Sequence, residues 1–335
     1  MSLTPEKRQT LDAIINEKGY TDYKWIDPKK IIVAQWVRMK CKFGCSEYGS
    51  NLVAFLHLAR RRGVEIAWVP DDEHGQIDVK ALEQRIDSRV RLICLTHIPS
   101  GGGLVNPAAA VGRVAKAADI PYLLDACQSL GQMPVDVQQI GCDMLCGTGR
   151  KFLRGPRGTG LLYVRKSFLE QLEPSQLNHH AAELINTGAY RLRDDAKRFE
   201  CWERSCAGQV ALGVAIDYAL GWGLQAINQR IGLLATELRR RLADVNGVTV
   251  ADRGIEQSGI VTLFAEQVPA ESLQHQLMSR GINTSLVPFS ANPVSAEKRK
   301  LPALLRASLH YYNSHQEIDR FIIELDQTIS KAAVS

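Results

Sequence analysis

Asp125, Thr148 and Lys151 bring together a carboxylate, a hydroxyl and a primary amine, the last two in a glycine-rich turn. Asp125 ends the apolar run PYLLD and is followed by Ala-Cys-Gln. A carboxylate in such a place is costly unless a cation or hydrogen-bond donors meet it. Lys151 stands in TGRKFLRGPRGTGLLYV, residues 148–164, where one lysine, three arginines and four glycines precede or open a hydrophobic strand. Two readings compete. One is structural: a buried Asp–Lys ion pair, or an aspartate that caps the next helix. The other is a binding site, because an aldehyde needs a lysine, a pyridinium nitrogen needs a carboxylate, and a phosphate needs hydroxyls and backbone N–H groups. A nucleic-acid surface made of Arg150, Lys151, Arg154 and Arg157 fits worst. Those residues alternate with glycine and proline, and Phe152 alone offers a ring to stack on a base.

The elements that must position these groups read as β-α-β units. Strands are predicted over VEIAWVP (64–70), VRLICLTHI (90–98), IPYLLDA (120–126), CDMLCG (142–147) and GTGLLYV (158–164). Helices are predicted over IDVKALEQRID (77–87) and PAAAVGRVAKAAD (107–119). Apolar strands alternating with helices imply a mostly parallel sheet covered on both faces, with ligands at the carboxyl ends of the strands. From residue 209 onward, two helices broken near 221–223 lead into a strand-helix-strand-strand-helix tail with strands at 259–266, 282–287 and 304–312. The expected organisation is an unassigned segment 1–29, a large domain 30–225 and a small α+β domain 226–335.

Composition excludes several classes. The chain has 335 residues, 45% of them hydrophobic, and a formal charge of +5 spread along its length. That is enough apolar content for a sizeable core and too little basic excess to point to nucleic acid. No apolar run approaches the ~20 residues of a membrane span, and the first residues lack the apolar core of a secretory signal, so a cytoplasmic location is expected. The eight cysteines do not show paired C-x-x-C spacing, and neither a metal nor a disulfide framework is expected.

The stretch LLDACQSLGQMPVDVQQIGCDMLCGTGRKFLRGPRGTGLLYV resembles the core of the class V aminotransferases, pyridoxal-phosphate enzymes that include cysteine desulfurases and related carbon–sulfur lyases. The ordered motifs are D-x-x-Q, G-x-D, T-x-x-K and G-P-x-G-x-G-x-L-Y, with THIPSGGGLVNP upstream and LLRASLHYYN downstream. The resemblance covers roughly residues 46 to 330. It implies a three-layer α/β fold of the pyridoxal-phosphate transferase type with a smaller α+β domain, and pyridoxal 5'-phosphate as cofactor. It makes Lys151 the Schiff-base lysine and proton shuttle, Asp125 the partner of the pyridine nitrogen, and Gln128 that of the ring oxygen. His97 lies over the ring, Thr148 and Arg150 serve the phosphate, and Arg306 pairs with the substrate carboxylate. The resemblance further implies an amino-acid substrate and a homodimer, with Thr159 reaching the partner's phosphate site; nucleic acid and membrane are not among the expected partners. His97, Gln128 and Arg306 each have a plain structural alternative as packed or ion-paired residues.

Departures from the family pattern sharpen the expectation. Arg150 stands where desulfurases usually carry histidine before the lysine, and Ser100 or Gly101 where an asparagine is common. The stretch GINTSLVPFSANPVSAEKRKLPALLR has no cysteine, which argues against persulfide transfer as in desulfurases. The segments EYGSN, THIPSGG and RFECWE resemble the branch containing sulfoxide lyases, so carbon–sulfur cleavage stands beside transamination. IIVAQWVRMKCKFGC, ahead of EYGSN, shows no glycine-rich phosphate turn, which keeps a degenerate, weakly catalytic homologue open as the alternative.

Overall fold

A computed structural model of the chain describes residues 49–288 and 299–334. Helix α1 (Gly49–Arg62) precedes a short helix α2 (Val79–Gln84), strand β1 (Ile93–Thr96), helix α3 (Ala108–Ala117), strand β2 (Tyr122–Asp125), a single-turn helix α4 (Val137–Ile140) and strands β3 (Met144–Thr148) and β4 (Gly160–Val164). A hairpin of β5 (Ala182–Asn186) and β6 (Ala189–Leu192) leads to the long helices α5 (Cys206–Trp222) and α6 (Leu224–Ala243). The chain then runs through β7 (Val248–Val250), β8 (Ile260–Ala265), α7 (Ala270–Ser279), β9 (Ser285–Val287), β10 (Leu304–Ser308) and α8 (His315–Val334). Two four-stranded sheets result, in the orders β1-β2-β3-β4 and β7-β8-β10-β9. In the first, β1, β2 and β3 are parallel and β4 returns antiparallel. The second is antiparallel throughout.

Local chemistry sets the helix ends. Asp78 accepts from the N–H groups of Lys80 and Ala81 at the start of α2, and Ser205 from that of Gly208 at the start of α5. Ser314 and Glu317 form a reciprocal capping box ahead of α8: the Ser314 hydroxyl accepts from the Glu317 N–H at 3.2 Å, and the Glu317 carboxylate from the Ser314 N–H at 2.8 Å. Gly223, at φ 83°, breaks α5 from α6 where the sequence places the break.

Strand alternation divides the core of the first sheet. Ile93, Leu95, Tyr122, Leu124 and Leu145 pack with Leu82, Val111, Val114 and Ala115 from α2 and α3. The opposite face carries Cys146, Leu162 and Val164, which pack with Phe168 and Phe199, and α5 meets the first face, where Leu212 packs with Leu153, Leu130 and Leu161. The second sheet buries Val261, Leu263 and Leu305 against Leu238, Leu242, Leu273, Phe321 and Leu325. Each such side chain is worth about 1.5–3 kcal/mol on burial. The sequence reading of a strand over 64–70 is corrected: that segment joins no strand ladder among the described residues, and Val64 is 46% exposed. Its apolar alternation satisfies strand propensity, but propensity without a paired neighbour leaves the backbone groups without a ladder. The thiols of Cys94 and Cys142 are pushed up to about 12 by burial.

A buried ion pair beside the second sheet reaches the first through Gly103. Asp252, with its side chain fully buried, accepts from Arg239 Nε at 2.9 Å through one oxygen. Its other oxygen accepts from the N–H groups of Gly103 (3.1 Å) and Thr262 (3.0 Å) and from the Thr262 hydroxyl (2.6 Å). Arg239 also donates to the carbonyls of Ser258 and Ile260. Removing one member of such a pair strands the other charge in the interior. Asp252→Ala is expected to lower the unfolding free energy by about 3–5 kcal/mol in a urea titration; a loss within about 0.5 kcal/mol, the range of a surface substitution, would contradict this role.

Candidate active site

Parallel register aligns the strand ends that carry the predicted groups. Thr96 on β1 pairs with Asp125 on β2, and Asp125 pairs with Cys146 on β3, two residues before Thr148. Alternation turns Asp125 away from the α2–α3 side of the sheet, because Tyr122 and Leu124 occupy that side. Cys146 and Thr148, one and three residues beyond Leu145, take the same direction as Asp125. The sheet therefore delivers a carboxylate and a hydroxyl to one edge and one face.

Asp125 is 5% exposed and is met by neutral donors. Asn51 Nδ2, from the first turns of α1, donates to Oδ2 at 3.1 Å, and the Cys127 N–H donates to Oδ1 at 2.9 Å. Asn51 closes the EYGSN segment without any local mark of this role; an amide in the first turn of a helix gives no signal that it will reach a strand 74 residues away. His97 follows β1, and its N–H donates to the Asp125 carbonyl at 3.0 Å. Asn106 holds that strand end from outside, donating to the Thr96 carbonyl through its side chain (2.8 Å) and to the His97 carbonyl through its N–H (2.8 Å). Burial lowers the His97 pKa from 6.5 to about 4, so its imidazole is neutral at neutral pH.

Lys151 sits half-buried in a tight turn after β3. The Gly155 N–H donates to the Gly149 carbonyl (2.7 Å), the Arg154 N–H to the Lys151 carbonyl (2.8 Å), and the Gly149 N–H to the Thr159 carbonyl (2.9 Å). A Cβ at Gly149 would lie 2.3 Å from the Thr159 hydroxyl, so only glycine fits there. Thr159 is buried and its hydroxyl donates to the Pro156 carbonyl at 2.7 Å, within its own turn. Arg150 is exposed, and Arg154 adopts φ 60° with its guanidinium over the rings of Tyr218, Tyr311 and Tyr312.

Arg306 enters from the other sheet. On β10 it alternates with Leu305 and Ala307, which face the second core, and it reaches across to donate to the Ser100 carbonyl at 2.7 Å. Burial, reinforced by the like charge of Arg150, holds its pKa below the usual arginine range. Four buried side-chain groups at this edge have no hydrogen-bond partner: Thr96 Oγ1, His97 Nδ1, Gln128 Nε2 and Arg306 Nε. Buried polar atoms are normally paired, and their clustering at one sheet edge fits a polar ligand. Gln128 is fixed through its backbone instead, its carbonyl accepting from Gln132 Nε2 at 2.5 Å while Gln132 Oε1 accepts from the Gly259 N–H at 3.0 Å. The Asp of the G-x-D motif is structural: Asp143 accepts from the Tyr122 N–H at 2.8 Å and pairs with Arg165.

Comparison with known proteins gives a family for this arrangement. The sequence model described as "Aminotransferase class-V" matches residues 43–321. A short match to a family described as "Predicted metal-binding protein" covers residues 24–54, almost wholly outside the described residues. A probable cysteine desulfurase of Methanothermobacter thermautotrophicus is 31% identical over 275 residues, 81% of this chain and 68% of that protein. A cysteine desulfurase of Yersinia pestis (strain Pestoides F) is 32% identical over 282 residues, 84% and 69% of the two chains. Among solved structures, the apo cysteine desulfurase from Thermococcus onnurineus NA1 superposes with a TM-score of 0.80 at 25% identity, over 85% of this chain and 71% of that one. A cysteine desulfurase from Escherichia coli gives 0.83 at 21% identity, over 99% and 87%, and supports the fold. From the matched motifs through the strand-end site to these relatives, one assignment follows: the chain belongs to the class-V aminotransferase family.

Proposed function

We propose that this protein is a pyridoxal-phosphate-dependent enzyme that acts on an amino acid through Lys151, by carbon–sulfur lyase or transamination chemistry. The observation that carries the reading is Asp125: a nearly buried carboxylate at a strand end, oriented by Asn51 and the Cys127 N–H, in the same edge as the unpaired buried atoms of His97, Gln128 and Arg306. These residues fit the group. Pyridoxal phosphate, when bound, supplies an electron-accepting ring. Asp125 would hold the proton on its pyridine nitrogen, and Gln128 would donate to its ring oxygen. Thr148 and Arg150 would take the phosphate.

The chain's own residues then do the rest. Lys151 would offer its primary amine to the cofactor aldehyde and would hold and move the proton at the substrate α-carbon. Arg306 offers its unpaired Nε, with the rest of the guanidinium, to the substrate carboxylate. His97 contributes a neutral imidazole, so it adds no charge to compete with Asp125. Carbon–sulfur cleavage is favoured by the relatives, which are named cysteine desulfurases. Persulfide transfer to a loop cysteine is disfavoured, because residues 281–306 contain none. A homodimer is part of the same reading.

Two outcomes test it. Purified protein given pyridoxal phosphate is expected to develop the absorbance of a lysine-linked cofactor, to change it on addition of L-cysteine or another amino acid, and to lose it in Lys151→Ala. A protein that stays colourless with added cofactor would support the degenerate alternative. Second, His97 binds its proton in the unfolded chain near pH 6.5 but in the folded chain only near pH 4. Its neutral form therefore stabilises the fold fully above pH 6.5, and that contribution is lost as pH falls toward 4. The loss at pH 5 is on the order of 2 kcal/mol. His97→Gln should flatten the fall in unfolding free energy between pH 7 and pH 5; parallel curves would refute the assignment.

A further inference from the structure

We propose that His310 is a positioning residue for Lys151, holding the backbone that follows the lysine through a hydrogen bond to the Phe152 carbonyl. The proposal rests on Lys151 being the reactive amine. His310 lies just past β10, and its ring is fixed in one tautomer. Nδ1 accepts from the Tyr311 N–H at 3.0 Å, so the ring proton sits on Nε2, which donates to the Phe152 carbonyl at 3.0 Å. The residue is 6% exposed and its backbone N–H donates to Asn313 Oδ1 at 2.7 Å. Its ring stacks on Phe152 (centroids 5.4 Å apart, planes at 20°) and on Tyr312 (4.5 Å, 17°).

The held peptide has no slack on its other side. Gly131, at φ 91° in the turn after β2, runs so close that a Cβ there would lie 2.5 Å from both the Phe152 carbonyl carbon and the Leu153 nitrogen. With the Arg154 N–H bonded to the Lys151 carbonyl, the backbone on the C-terminal side of the lysine is set by three contacts. One comes from the turn after β2, which also carries Gln128, and one from the segment just past the strand that carries Arg306. His310 thus links the carboxylate-binding strand to the amine, which a site needs if both must meet one small substrate. Burial, together with the charge of Arg154, lowers the His310 pKa to about 4, so the ring is neutral at neutral pH and Nδ1 stays able to accept from the Tyr311 N–H.

The test compares His310→Gln, whose amide can donate to Phe152, with His310→Phe, which keeps a ring but loses the donor. Apoprotein is mixed with pyridoxal phosphate, the rate of appearance of the lysine-linked absorbance is recorded, and thermal unfolding is measured in parallel. His310→Phe is expected to react about tenfold more slowly, the scale of a misplaced reacting group, while His310→Gln keeps the wild-type rate. A folded His310→Phe protein that reacts at the wild-type rate overturns the proposal. Should His310→Phe fail to fold, His310→Leu replaces it as the variant without a donor: a rate well below that of His310→Gln supports the proposal, and an equal rate overturns it. Lys151→Ala serves as control; absorbance surviving in it would defeat the Schiff-base reading itself, separately from the role of His310.

Discussion

A carboxylate at the end of a buried strand is the constraint on which the rest of the site depends. Asp125 is flanked by Leu124 and Ala126, both fully buried, and belongs to a strand with no exposed residue. Left without donors, such a carboxylate would be a costly uncompensated charge in the interior. Asn51 and the Cys127 N–H supply donors without a counter-charge, which orients the carboxylate while leaving its charge to act on a ligand. An arginine in place of Asn51 would neutralise Asp125 and remove the reason for placing an acid there.

The second requirement is that two sheets with separate cores bring their groups to one edge. Asp125 and Lys151 come from the first sheet, and Arg306 from the second. Polar links between the sheets cross the boundary at several points: Asp252 to Gly103, Gln132 to Gly259, Arg306 to Ser100 and His310 to Phe152. Each joins a side chain to a backbone group, and a backbone partner cannot swing away as a second side chain can. The candidate site is therefore held by the framework rather than by long side chains alone.

Much of this was legible in the chain because it is written locally. Continuous apolar runs mark β1 to β4, proline opens α3, and Gly221 to Gly223 mark the break between the long helices. The motif from Asp125 to Val164 named its family because spacing within one contiguous stretch survives in the fold. What escaped is non-local. Asn51, Asp252 and His310 act on residues 74, 149 and 158 positions away, and nothing beside them in sequence marks the partner. The apolar segment 64–70 misled in the opposite way, since propensity can be read from a segment but its pairing cannot.

Asp125, Thr148 and Arg306 matter to catalysis only if Lys151 is the amine that engages the cofactor. The most direct measurement is to load the protein with pyridoxal phosphate, reduce it with borohydride, digest it and locate the phosphopyridoxyl label by mass spectrometry. Lys151 is expected to carry that label in near-stoichiometric amount. A label on another lysine, or none after loading, would contradict the assignment of this strand-end crevice as the active site.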